Sequence, residues 1–310
     1  MAVTQRILTA ISVFVFLGMF VDGVSARTYT TVFPLNEDPI SEGGNWVTGG
    51  AAGLDWSDVA TTNGLAFGLQ SGTNEFDDAT ALLTGIWGVN QRCQATVLAT
   101  TPMSGVVYEE VELRLRSSLS GHNCTGYEVT FSLRPDISAY VQIIRWNGAL
   151  GDFDYVNTIA GNECILHSGD TVSASVTNDT ITAYINGVPI LQGTDTNFVA
   201  GSPGLGMHLQ GATGLNHDYG FTSFSATDDG SAPPPSAPVL SISGPDPGGA
   251  FILSLQGTPQ TTYGIEATMN LSPASWQRLG SSTSDATGRL LFTNTPAPGA
   301  SQQFYRAVWP

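Results

Sequence analysis

Between Tyr108 and Gly148 the chain reads YEEVELRLRSSLSGHNCTGYEVTFSLRPDISAYVQIIRWNG, three alternating runs separated by turn-forming residues. In the first run Val111, Leu113 and Leu115 alternate with Glu110, Glu112, Arg114 and Arg116. In the second, Tyr127, Val129, Phe131 and Leu133 alternate with Glu128, Thr130, Ser132 and Arg134. A period of two describes a strand with one face in a core and the other in water. The third run, Tyr140 to Trp146, is apolar on both faces and ends in Asn147-Gly148. Three such runs in succession predict neighbouring strands of one antiparallel sheet. The outer face of that sheet would collect carboxylates, guanidiniums and an aromatic ring.

The same grammar continues on either side. Residues 33–53 read as an opening strand and a packed loop anchored by Phe33, Ile40 and Trp46. Short apolar runs with frequent turns follow from Leu65 to Val97, a rhythm of sandwiches rather than of strand–helix–strand units. Trp46 and Trp87, at apolar strand starts, are expected in the core. Thr171–Val176 and Ile181–Ile185 alternate, and Asn186-Gly187 is the strongest hairpin signal because both centres of a type I′ turn need positive φ. Asp228–Pro238, DDGSAPPPSAP, is small, acidic and proline-rich, the composition of a semi-rigid linker. Beyond it Val239–Pro310 reads as a small fibronectin-like β-unit whose limited core depends on Phe251, Trp276, Phe292, Tyr305 and Trp309.

The expected organisation is therefore 1–26 signal peptide, 27–228 large β-domain, 229–238 linker and 239–310 small β-domain. The signal reading rests on Arg6, an apolar stretch from Ile7 to Val21, and small residues at Val24-Ser25-Ala26. It predicts a secreted, extracellular or cell-surface protein. The chain has ten arginines, no lysine and a formal net charge of -16. Such a charge argues against a nucleic-acid partner. Of the three cysteines an oxidising compartment allows one bridge. Spacing does not choose the pair; Cys124 and Cys164, both beside polar turns, are the expected disulfide.

Residues 33–226 carry a run of signals that resembles the concanavalin A-like, laminin G-like jelly-roll modules of secreted bacterial proteins. The carriers are Glu37-Asp38-Pro39-Ile40-Ser41-Glu42-Gly43-Gly44-Asn45-Trp46, Gly126-Tyr127-Glu128-Val129, Arg145-Trp146-Asn147-Gly148, Ala183-Tyr184-Ile185-Asn186-Gly187 and Gly201-Ser202-Pro203-Gly204-Leu205-Gly206. The resemblance implies an all-β protein, a concanavalin-like jelly-roll sandwich followed by a small C-terminal β-sandwich. It also implies a structural Ca²⁺ held by Glu37, Asp38 and Asp218, hard oxygen ligands from the opening loop and closing strand. The C-terminal unit resembles small β-domains that end many secreted bacterial proteins, which implies cell-surface attachment or self-assembly as its role.

Catalytic relatives of this jelly roll leave partial traces. Laminarinase-type hydrolases carry E-x-D-x-E on one strand, two glutamates about 5–5.5 Å apart for a retaining mechanism. Here Glu110 and Glu112 are followed by Arg114 and Arg116, and an adjacent arginine favours the ionised carboxylate over a general acid. Alginate-lyase-like patterns R-x-E-L-R and Q-I-H are met by Glu112-Leu113-Arg114 and Gln142-Ile143, but Glu110 and Ile144 stand where arginine and histidine are required. The face suits recognition better. Glu112, Arg114, Arg116, Glu128 and Gln142 would hydrogen-bond hydroxyls of an extracellular glycan, and Trp146 or Tyr155 would stack on a pyranose. A plain solvated face with cross-strand ion pairs worth ~0.2–1 kcal/mol each would show the same alternation. Enzymatic polysaccharide cleavage and assembly of an envelope structure or filament stand as the alternatives to glycan binding.

Overall fold

A computed structural model describes residues 26–73, 78–100, 108–231, 238–258, 261–285, 288–297 and 302–308. The expected signal peptide, up to residue 25, and Trp309 lie outside these residues. No described helix is long and apolar enough to cross a membrane.

The large domain is built from β1 (Thr28–Thr31), β2 (Trp46–Thr48), a single helical turn α1 (Gly49–Ala52), β3 (Val59–Thr62), β4 (Leu65–Gly68), β5 (Asp78–Leu83), β6 (Gln91–Ala99) and β7 (Tyr108–Ser120). It continues with β8 (Asn123–Ser132), β9 (Tyr140–Gly148), β10 (Phe153–Ala160), β11 (Thr171–Thr177), β12 (Thr180–Ile185), β13 (Val188–Thr194), β14 (Ser202–Gln210) and β15 (Tyr219–Asp228). One sheet runs β13-β12-β11-β6-β15-β4-β3, with β1 also on β15; the other runs β10-β9-β8-β7-β14-β5-β2. Every strand pairing in them is antiparallel. The order is far from sequential: β6 sits between β11 and β15, and β14 between β5 and β7. This is the two-sheet, long-connection pattern of a jelly roll.

Alternation decides which side chains meet between the sheets. Val111, Leu113 and Leu115 of β7 and Tyr127, Val129 and Phe131 of β8 face Cys93, Ala95 and Val97 of β6 and Val172, Ala174 and Val176 of β11 in one continuous core. Trp46 and Trp87 are buried there as expected. Asn186 and Gly187 take φ of 51° and 78° and join β12 to β13 in a two-residue loop, the turn that the sequence predicts.

The described residues divide into two compact units, one within Gly23–Pro233 and one within Pro234–Pro310. The first extends beyond the expected boundary at 228. Asp229 donates its N–H to the Asn90 carbonyl, and the Val89 N–H reaches the Ser231 carbonyl, so the start of the acidic linker belongs to the sandwich. The second unit has six strands: β16 (Val239–Ser243), β17 (Phe251–Gln256), β18 (Thr262–Thr268), β19 (Gln277–Thr283), β20 (Arg289–Asn294) and β21 (Phe304–Val308). They form two three-stranded sheets, β16-β17-β20 and β19-β18-β21. Leu253, Leu255 and Leu290 pack against Tyr263, Ile265, Ala267 and Tyr305, with Phe292 at the margin. Phe251 is buried, whereas Trp276 is half-buried and lies under the Arg306 guanidinium, 4.4 Å from its ring centre, instead of in that core.

Candidate functional site

The outer face of the β10–β2 sheet holds most of the charged side chains named from the sequence, and its register sorts them into rungs. One rung crosses the sheet as Asp78, His208, Glu110 and Ser132. The next is Thr80, Gly206, Glu112, Thr130, Gln142 and Thr158. The third is Leu82, Gly204, Arg114, Glu128, Ile144 and Tyr155. Residues paired across antiparallel strands project to the same side, so three charged rungs share one surface.

That surface is largely roofed, which corrects the expectation of a wet face. Glu112 and Arg114 are 0% exposed, and Glu128 and Trp146 are buried. Leu54 and Trp56, from the segment after β2, pack with Cys124, Ile144 and Trp146 in a cluster of their own. The Trp56 and Trp146 rings meet edge-on at 4.5 Å, and the Arg114 guanidinium lies 5.0 Å from the Trp56 ring centre. Beneath them Arg114 bridges Glu112 at 2.5 Å and Glu128 at 2.6 Å, and the Trp146 indole N–H donates to Glu128 at 2.6 Å. Burial, reinforced by the neighbouring Glu128 carboxylate, raises Glu112 well above the usual carboxylate range, with Arg114 opposing. Glu128 is raised by burial too. Trp146 and the Glu112–Arg114–Glu128 group are thus a sealed ionic layer and not an open sugar surface.

Arg116 leaves the face altogether. It takes a φ of 46° where the β7–β8 register shifts between Leu115 and Ser118. Its guanidinium donates to the carbonyls of Val89, Phe198 and Asn178 at 2.8, 2.9 and 2.6 Å. Three segments are clamped by one side chain, so its role is structural.

What stays accessible lies toward the first rung and the β10 edge. Tyr155 is 58% exposed, Tyr108 is exposed, and Glu110, Tyr140 and Gln142 are half-buried. The Tyr140 hydroxyl donates to Glu110 Oε1. Burial pushes the Glu110 carboxyl up to about 7, against the stabilising His208 charge and the Tyr140 bond. Burial lowers His208, but the Asp78 carboxylate 3.5 Å away outweighs it and sets the imidazole at about 9. Burial raises Tyr155, and the Glu110 and Glu128 charges add to it. Of the predicted ligand residues, Gln142 and Tyr155 are reachable. Sequence reasoning missed the Asp78–His208–Glu110 rung because its members come from three distant strands. Alternation of His208 between buried Met207 and Leu209 was the available signal.

Two further expectations are corrected. Cys93, Cys124 and Cys164 are all free. Cys124 sits in the Trp56 cluster on the outer face, while Cys164 belongs to the inter-sheet core, so the sheet itself separates the expected pair. Glu37, Asp38 and Asp218 do not assemble as calcium ligands, and no three described His, Cys, Asp or Glu residues come together to hold a metal. Glu37 Oε2 instead accepts the N–H groups of Ser41 and Glu42 at 2.9 and 2.7 Å, a loop-capping duty. Asp218 takes part in the turn before β15, where its carbonyl accepts from Thr100.

No protein-family model matches the chain, and no curated protein matches it. Among solved structures it is similar to the carbohydrate-binding module CBM66 from Bacillus subtilis, with 14% identity over 62% of this chain and 97% of that one and a TM-score of 0.40. The potassium-bound carbohydrate recognition domain of Emp46p aligns at 14% identity over 65% and 96%, TM-score 0.42. The Bacillus licheniformis β-glucanase aligns at 14% identity over 65% and 95%, TM-score 0.37. At these scores the likenesses assign neither family nor activity.

Proposed function

We propose that the large domain is an extracellular glycan-binding module, and that the sugar lies on the unroofed margin of the charged face, over β7, β9 and β10. The observation that carries this reading is the side-by-side placement of an exposed tyrosine, Tyr155, with the Glu110–Tyr140 pair and Gln142 on one sheet surface. A tyrosine offers an apolar face at low entropic cost, and carboxylate, amide and phenol groups around it supply acceptors and donors for ring hydroxyls. Secretion, and attachment or self-assembly through the C-terminal unit, complete the proposal.

One observation favours a second reading, glycan cleavage. A half-buried carboxyl raised to about 7 is matched to general acid–base work near neutral pH. Both readings meet in one experiment. The purified chain is screened on a glycan array, and bound oligosaccharides are recovered and assayed for new reducing ends or unsaturated uronate. Binding weakened about tenfold or more by Tyr155→Ala, a loss of about 1.4 kcal/mol, with the oligosaccharide recovered intact, is the expected result. Cleavage abolished by Glu110→Gln would replace it with the second reading. An array with no bound glycan would remove both.

A further inference from the structure

We propose that residues 49–56 are a strap over a second sugar subsite, opening to admit one pyranose ring between Trp56 and the sheet. This rests on the glycan-binding reading and extends it beneath the roof.

The strap has the anatomy of an Ω-loop, a compact excursion whose ends lie close together. Thr48 pairs with Ala81 and Ser57 bridges to Ala79, so the chain leaves β5 and rejoins it two residues away. Between these anchors Thr48 caps the helical turn α1, and Gly53 ends it with a φ of 80°. Leu54 and Trp56 then point onto the charged rungs. The outer fastening is slight. Asp55 pairs with His122 at 2.8 Å, both well exposed, and the His122 N–H donates to the Gly53 carbonyl. On the inner side of the excursion the Gly50 N–H meets Asp58 Oδ1.

The layer beneath is short of partners. Of the buried side-chain polar atoms of the described residues that lack a hydrogen bond, three lie at the strap and the layer it covers, Trp56 Nε1, Glu112 Oε1 and Arg114 Nε, whereas Arg114 Nη1 and His208 Nδ1 are held only by ion pairs, to Glu128 at 2.6 Å and Asp78 at 3.5 Å. Leaving a buried donor or acceptor unmet is unfavourable, because water is lost with nothing put in its place. The closed strap therefore seals donors and acceptors whose needs the protein itself does not meet. Ring hydroxyls, each donor and acceptor, suit that mixed set, and Trp56 and Trp146 supply apolar faces. Gly206, beside Glu112 on the neighbouring strand, leaves room at that ion pair: a Cβ there would lie 2.4 Å from Glu112 Oε2 and 3.2 Å from Arg114 Nη2.

Cys124 makes the opening measurable without a known ligand. It packs under Leu54 and Trp56, whereas Cys93 and Cys164 lie in the inter-sheet core. Burial holds the Cys124 thiol up at about 12 while the strap is closed, so alkylation reports opening. The full chain is treated with N-ethylmaleimide under native conditions and each thiol is followed by peptide mass spectrometry. Cys124 is expected to react at least about tenfold faster than the other two, a local opening cheaper by about 1.4 kcal/mol. Asp55→Asn, which weakens the fastening, is expected to accelerate Cys124 alone, and the oligosaccharide found on the array should slow it. Three thiols reacting together would overturn the strap, whatever the sugar does. A fast Cys124 that the bound sugar leaves unprotected would overturn the subsite and leave the Tyr155 surface standing. If neither the native chain nor the Asp55→Asn chain binds any glycan, the underlying reading fails instead.

Discussion

The two outer faces of the sandwich come from similar sequence patterns and end in opposite environments. On the β6 sheet Tyr184, Ser173, Gln94, Ser225 and Thr30 form one rung, and Thr182, Ser175, Arg92, Thr227 and Thr28 the next. Arg92 and Gln94 are exposed there. On the β7 sheet the equivalent rungs hold Asp78, His208, Glu110, Glu112, Arg114 and Glu128, and the third is covered by Leu54 and Trp56. Thr28, Thr30, Gln94 and Arg92 face water there, with Ser173 and Thr182 covered, whereas the Glu112–Arg114–Glu128 group is sealed. Period-two alternation separates two faces of a strand, but a segment elsewhere in the chain decides which of them is wet.

The largest expected consequence of this contrast is at the two arginines. Arg114→Met removes the counter-ion of two buried carboxylates, and breaking a buried ion pair from one side costs about 3–5 kcal/mol. Arg92→Met on the open face should be nearly silent. Urea unfolding of the two variants beside the parent chain measures the difference, read at constant slope. Equal, small losses would show that the Trp56 roof does not seal the triad from water.

Much of the fold was legible because it depends on local rules. The Asn186-Gly187 turn, the inward set Val111, Leu113, Leu115, Tyr127, Val129 and Phe131, and the buried Trp46 and Trp87 follow from turn chemistry and alternation. The site was legible only as a list of residue types on one surface. The packed loop that the sequence predicts ends at Gly53, and nothing local says that Trp56 crosses to Arg114. Arg116 alternates perfectly in sequence, yet a register shift turns it away. The Cys124–Cys164 expectation failed for the related reason that flanking turns do not reveal the side of a sheet on which a thiol lies.

A smaller and more distributed effect follows from the titrating groups of the first rung, Glu110 and His208, and from the neighbouring buried Glu109. Glu109 is raised to about 7 by burial and then by the Asp218 charge, and Glu110 is also at about 7. An acid raised on folding contributes stability that is full below its unfolded value, about 4.5, and is lost as pH climbs through 7. His208, raised to about 9, stabilises fully below about 6.5 and loses that contribution as pH climbs through 9. Both signs agree. Asp195 and Asp229 are lowered, so their contribution is present above the ordinary aspartate range and is lost as pH falls below it. The thermal midpoint should therefore be highest at about pH 4.5 and decline as pH climbs through 7 and on toward 9.5. Glu110→Gln should flatten the part of that decline between about pH 4.5 and 7. An unchanged profile in that variant would mean that Glu110 is in contact with bulk water.

The smallest expected effect is also the most direct control on the open face. The Arg92 guanidinium lies 4.8 Å from the Tyr184 ring centre and donates to Ser173 Oγ at 3.0 Å. An exposed cation–π contact is worth about 0.5–1 kcal/mol, and water replaces most of a lost surface hydrogen bond. The methionine of Arg92→Met keeps an apolar stem over the tyrosine, so its net change should fall within about 0.5 kcal/mol, the range of ordinary surface substitutions. The variant also carries one positive charge fewer, as Arg114→Met does. A stability loss caused by general electrostatic repulsion in a chain of net charge -16 would therefore appear in both. If Arg92→Met costs as much as Arg114→Met, net charge rather than burial explains the arginine requirement. If it is silent, the cost at Arg114 belongs to the carboxylates sealed beside it.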